Sequence, residues 1–222
     1  MLNLFIMSYV EVISKIPENV TLVAVSKTKT FEEIFKIYTD GQRIFGENKV
    51  QELAEKYIQL PKDIEWHLIG HLQTNKVKYI APFVYMIHAV DSLKLLIEIN
   101  KQAKKNNRII DCLLQFHIAR EDTKFGFNQN EAIELLQDKT YQDLKNIRIR
   151  GVMGMASFTK DKQLIRLEFQ TLNSIFQQLK RAFFSDQDTF NTRSMGMSGD
   201  FEIAIEEGST MVRVGSLIFG NH

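Results

Sequence analysis

"LVAVSKTKTFEEIFKIYTDGQRIFG", residues 22–46, contains one full period of the architecture. Leu22–Ser26 is an apolar run of strand length that surfaces at a serine and then two lysines, Lys27 and Lys29. Thr30 with Glu33 three residues later forms a capping box, which opens a helix over Phe31–Thr39. Gly41 sits where that helix should stop, and Arg43–Gly46 returns to strand character. Strand, helix and strand joined this way pair in parallel.

The same alternation runs almost to the end of the chain. Strand-like segments follow at Glu65–Gly70, Met86–Val90, Ile109–Ile118, Ile147–Met155, Thr192–Met195 and Met211–Val214. Helical patterns fall at Val50–Gln59, Asn75–Ile80, Ser92–Asn106, Gln129–Gln137, Lys162–Phe184 and Gly199–Glu207, with Gly208 as a stop. A doubly wound sheet and a closed (β/α)₈ barrel both fit this pattern. The count of eight strands and the lack of a Gly-rich dinucleotide fingerprint after the first favour the α/β TIM barrel. With 3 prolines and no Ser/Gly linker, residues 1–222 read as a single domain.

Composition narrows the function classes. Of 222 residues, 44% are hydrophobic and 25% charged, with a net charge of +1, so no global field draws the chain to nucleic acid or membrane. The densest basic run, Lys101–Arg108, reads as a solvated helix end. Cys112 is the one cysteine, in an apolar setting that suits a buried small hydrophobe, and no intrachain disulfide can form. "MLNLFIMSYVEVISKIPENV", residues 1–20, lacks a basic leader and a cleavage site and is interrupted by Glu11 and Lys15, so an amphipathic helix is expected. No run approaches about 18 apolar residues, so no membrane span is expected and the cytoplasm is the default. No Cys/His cluster has metal-ligand spacing, so no metal is expected. His67 and His71 lie in a strand-like context, His88 and His117 read as solitary, and Glu121 and Asp122 as solvated loop residues.

In a barrel the active face is the carboxyl end of the strands. Those ends carry Lys27, "GENK" (46–49), "GHLQTNK" (70–76), His88 with Asp91, Gln115–His117, Met153–Ala156, "SMGMSGD" (194–200) and "RVGS" (213–216). Barrels commonly bind phosphate with the loops after strands seven and eight. Ser198 is there either as a helix N-cap or as a phosphate ligand, and Gly215 lets backbone approach an anion. Arg213 shares the strand parity of Gly215 and faces either the barrel mouth or an internal ion pair. Parity also puts Lys27 on the face of Val23 and Val25, inside the barrel, where burial and Arg213 would disfavour its charged form. A neutral amine beside a phosphate site suits a Schiff base with a phosphorylated aldehyde, pyridoxal 5′-phosphate above all. Lys29 is the competing amine and is expected to point to solvent.

Taken in order, "LVAVSKTKT", "FGENKVQE", "WHLIGHLQTNK", "IHAVDS", "TKFGF", "RGVMGMA" and "SMGMSGDFEIAIEEGSTMVRVGSLIFG" resemble the pyridoxal-phosphate-binding homeostasis proteins, the YggS/PROSC family. The resemblance implies an alanine-racemase-like barrel (fold type III among pyridoxal phosphate proteins) without the racemase's second, β-rich domain. It implies that Lys27 carries the cofactor as a Schiff base. Ser198, Gly215 and Ser216, with Ser194, would hold the phosphate; Arg213 would face the pyridine nitrogen and Asn48 would lie near the cofactor. It implies a carrier or regulator of pyridoxal phosphate with no catalytic residue and with pyridoxal-phosphate-dependent apoenzymes as partners, while an isolated barrel of this size is expected to be a monomer. The alternative is a low-activity amino-acid racemase. Two departures stand out: Gly199 where the family usually has an acidic residue, and His117 where an asparagine is usual nearby. Chemistry also favours the carrier. An arginine stays charged, so its guanidinium leaves the ring nitrogen unprotonated and weakens the electron sink. Racemisation also needs a second base opposite the lysine, for which Tyr38 and Tyr79 are the only tyrosines in view.

Overall fold

The computed structural model describes residues 9–120 and 125–220. The chain opens with α1 (Tyr9–Ser14), β1 (Thr21–Val25), α2 (Phe31–Thr39), β2 (Ile44–Glu47), α3 (Val50–Gln59) and β3 (Glu65–Leu68). A 3₁₀ turn (Thr74–Lys76) leads into α4 (Val77–Ile80), then β4 (Met86–Val90), α5 (Leu93–Lys105) and β5 (Ile110–Phe116). The second half adds α6 (Gln129–Gln137), α7 (Lys139–Gln142), β6 (Ile147–Gly154), α8 (Lys162–Phe183), β7 (Thr192–Ser194), α9 (Phe201–Glu206), β8 (Met211–Val214) and α10 (Ser216–Phe219).

The strands pair in parallel in chain order, and β8 closes on β1 through a register running from Thr21↔Met211 to Ala24↔Val214. This is the closed barrel, not the open doubly wound sheet. Side-chain alternation divides the core in two. Leu22 and Ala24 of β1 pack outward into the layer between sheet and helices, with Phe45, Trp66, Leu114 and Phe169. Val23 points inward, with Met86, Leu113, Met153 and Met211. Two and four residues beyond Val23, Val25 and Lys27 both face the open carboxyl end.

Local chemistry sets the boundaries. Thr30 Oγ1 accepts from the Glu33 N–H at 3.3 Å, and the Glu33 carboxylate accepts from the Thr30 N–H at 2.8 Å, completing the capping box. Gly41 and Gly208 take φ of 110° and 90° just past α2 and α9. β1 ends at Val25, one residue early, because the chain turns at once: the Ser26 carbonyl accepts from the Lys29 N–H at 3.1 Å. α9 begins at Phe201, not Gly199, because Asp200 takes the N-cap position and its carboxylate accepts from the Met197 N–H at 2.5 Å. The helices α7 and α10, of 4 residues each, are too short for periodicity to reveal, whereas α1 (Tyr9–Ser14) falls within the expected amino-terminal helix. Residues 1–8 of the expected amino-terminal helix, and Glu121 and Asp122, lie outside the described residues. Cys112 is fully buried on β5, and burial pushes its thiol far up, so it is an inert packing residue. No helix among the described residues is long and apolar enough to cross a membrane.

Candidate functional site

A cleft of about 1050 Å³ opens at the carboxyl ends of the strands. Lys27, Asn48, Ser198, Arg213, Gly215 and Ser216 all line it. Ser194 does not: it is fully buried one layer below, where its hydroxyl holds Arg213.

Lys27 sits at the second position of the turn that ends β1, and its side chain is exposed to the cleft. The residue expected to be buried inside the barrel is thus exposed at its mouth. The next residue, Thr28, has φ of 64°, a left-handed conformation that a β-branched residue rarely adopts. Lys29 does not point to solvent. Its side chain is only 8% exposed, and its ammonium donates to the Phe219 carbonyl at 3.1 Å and lies 3.5 Å from Glu33. Both lysines line the cleft, but Lys29 is held there by its partners and only Lys27 is exposed.

Arg213 rises from β8 with its side chain 4% exposed. Among the described residues no carboxylate bonds it. One guanidinium nitrogen donates to Ser194 Oγ at 2.6 Å and the other terminal nitrogen to the Gly154 carbonyl at 3.0 Å. Burial lowers its pKa to about 10, against an upward pull from Asp200, so it remains charged at neutral pH. Beneath it, His88 Nδ1 lies 3.0 Å from Ser194 Oγ and His88 Nε2 lies 2.8 Å from His67 Nδ1. His88 is therefore not solitary; it links Ser194 to a second histidine. Burial holds His67 down to about 3, and burial, His67 and Arg213 hold His88 well below the usual imidazole range. Both rings are neutral at physiological pH, as expected beneath a buried guanidinium.

The loops after β7 and β8 meet at Ser198, whose Oγ accepts from the Gly215 N–H at 3.2 Å. Ser198 is not the cap of α9. Its hydroxyl spans the two loops and keeps its own proton to donate into the cleft. A Cβ on Gly215 would stand 2.9 Å from the Val25 carbonyl oxygen, so only glycine lets the end of β8 lie against the lysine strand. A Cβ on Gly70 would stand 2.4 Å from the Asn48 carbonyl oxygen, so glycine there lets the loop after β3 press against Asn48. Gly199 faces open space, so an acidic side chain would fit there, and its absence removes a carboxylate from the rim. His117 is not part of the cleft wall, whereas Gln115 is.

Sequence reading missed one pair at the rim. His71 lines the cleft, stacks on Phe125 at 4.2 Å between ring centroids, and sets Nδ1 3.1 Å from Asp91. Both residues lie in segments assigned to strand ends, and the parallel pairing of β3 with β4 sets those ends side by side. Neither Tyr38, whose hydroxyl donates to Asp63, nor the exposed Tyr79 lines the cleft. Among the described residues, no group of three or more His, Cys, Asp or Glu could hold a metal ion.

Comparison with known proteins bears on what this cleft holds. The family model described as alanine racemase, N-terminal domain, matches residues 8–222. A pyridoxal phosphate homeostasis protein of Aquifex aeolicus is 40% identical over 200 residues, covering 90% of this chain and 86% of that protein. The structure of PipY from Synechococcus elongatus PCC7942 with PLP bound superposes with a TM-score of 0.84 at 32% identity, covering 95% of this chain and 97% of PipY. Alanine racemase of Clostridium difficile 630 shares the fold at a TM-score of 0.71 and 15% identity, with 54% of its chain covered.

Proposed function

The chain belongs to the alanine racemase N-terminal domain family and, within it, to the pyridoxal phosphate homeostasis proteins; on that premise we propose that it binds pyridoxal 5′-phosphate as a Schiff base on Lys27 and acts as a carrier with little or no catalysis. One observation carries the reading: an exposed amine, a buried guanidinium held by neutral partners and two serine- and glycine-bearing loops share one cleft. The residues suit the group. Lys27 offers the amine. Ser198, with Gly215 and Ser216, offers the hydroxyl and backbone donors a phosphate requires, and Asn48 lies along the same wall. Ser194 supports Arg213 and leaves the phosphate to the other three.

When bound, pyridoxal phosphate supplies an electron-withdrawing ring to an amine it condenses with. Arg213 can only donate, so a ring nitrogen held against it would stay unprotonated. Ser194 and the Gly154 carbonyl hold the guanidinium in place, and His88 in turn holds Ser194. These features favour holding over turnover. The working protein is a monomer of the cytoplasm, where apoenzymes that need the cofactor would be its partners.

Reduction with borohydride after adding the cofactor should fix it permanently to the peptide bearing Lys27 and leave Lys29 unmodified. Labelling on Lys29, or none at all, would sink the assignment. A low-activity racemase is the second reading, favoured by His71, which lines the cleft and, held by Asp91, would serve as the second base. Robust interconversion of D- and L-alanine that is lost in His71→Asn would establish it.

A further inference from the structure

The turn that presents Lys27 is held from behind by charges that packing alone does not require. Lys56 on α3 is only 5% exposed, and its ammonium donates to Glu47 Oε1 and to the Ser26 carbonyl, each at 2.7 Å. The same Glu47 oxygen accepts from Ser26 Oγ at 2.6 Å. One helical turn before Lys56, Glu52 sets Oε2 3.1 Å from the Thr28 N–H. Two side chains on one face of α3, and one at the end of β2, thus grip the residues on either side of Lys27.

A buried ion pair is seldom better for stability than apolar residues of the same size. What Lys56 and Glu47 do that methionines could not is fix the Ser26 carbonyl and hydroxyl. The need for such a grip is visible at Thr28, whose φ of 64° is unfavourable for an L-residue with a branched Cβ. Left alone, the turn would relax and swing Lys27 away from Gly215 and Arg213.

We propose that Glu47, Lys56 and Glu52 are positioning residues that hold the strained Ser26–Lys29 turn so that the Lys27 amine meets the cofactor. The inference rests on the reading of Lys27 as the cofactor lysine, but the turn itself can be tested without cofactor.

Glu47→Met with Lys56→Met replaces the pair by side chains of similar length and should leave the protein folded. In cofactor-free protein, amide exchange at Thr28 and Lys29 should then speed up by roughly tenfold or more. Pyridoxal phosphate affinity should fall roughly tenfold, as a misplaced reacting group entails. Adding Thr28→Gly, which removes the strain, should restore both. If the methionine pair does not fold, Glu52→Ala is the variant to use, since it deletes only the partner of the Thr28 N–H. It should show the same changes on a smaller scale, again reversed by Thr28→Gly. Unchanged exchange and affinity, or no rescue by glycine, would overturn the proposal. If the unsubstituted protein fails to trap cofactor on Lys27, the functional reading falls, while the exchange measurements still decide the role of the three residues.

Discussion

The two lysines at the rim differ in what holds them: Lys29 has a carbonyl and a carboxylate to satisfy it, whereas Lys27 is exposed to the cleft both share. Beneath that cleft, the paired histidines give the protein a specific acid response. An unfolded histidine takes up its proton near pH 6.5, but His67 in the fold resists until about 3, and His88 is likewise depressed. Stability from His67 is therefore complete above pH 6.5 and is lost as pH falls toward 3, by about 1.4 kcal/mol per pH unit, and His88 acts in the same direction. Urea midpoints measured between pH 7 and pH 4 should drop steeply, and less so in His67→Leu/His88→Leu; equal slopes in the two proteins would show that the pair stays uncharged for no energetic reason. Lys27, Arg213, Gly215 and Ser198 were legible from strand parity and loop position, because alternation is a local property of the chain. The His67–His88–Ser194 chain was not, since it joins β3, β4 and β7 across the barrel interior, and no spacing in the sequence encodes that contact.

Elements matter here chiefly for how their ends are trimmed. The loop after β7 reads as a serine cap followed by a helix, yet Asp200 takes the cap and frees Ser198 to bridge to Gly215. The competition between two good capping residues three positions apart or fewer cannot be resolved without knowing what lies beside them. A similar non-local constraint governs β6. Its register against β5 shifts between Cys112 and Leu113, and Gly151 at that point takes φ of 152°. A Cβ there would stand 1.8 Å from the Thr192 carbonyl oxygen of β7, so the irregularity is possible only with glycine. Gly151→Ala must therefore push β7 away, at a cost of about 3 kcal/mol or more. Because β7 carries Ser194, the substitution should also loosen Arg213, so thermal melting and cofactor binding should suffer together. A variant that melts normally would mean that β6 and β7 can separate at that point without penalty.

At the scale of the molecule, closure is what makes the site. Lys27 lies just after the first strand and Arg213 in the last, and they share a cleft because β1 and β8 are neighbours. The eightfold alternation announced that closure in the sequence; the position of each side chain on the rim followed from it. The same closure argues for cooperativity. No strand of the barrel has a free edge, and the interior cluster draws residues from β1, β4, β5, β6 and β8 at once, so no half of the chain can keep its core when the other half opens. The fully buried Trp66 on β3 reports the layer between sheet and helices, while far-ultraviolet circular dichroism reports the helices themselves. Denaturant curves from the two signals should coincide, as for a single cooperative unit spanning the described chain. Separate midpoints would instead divide the barrel into independently stable parts, and Lys27 and Arg213, drawn from its two ends, would then be expected to part before the rest of the fold is lost.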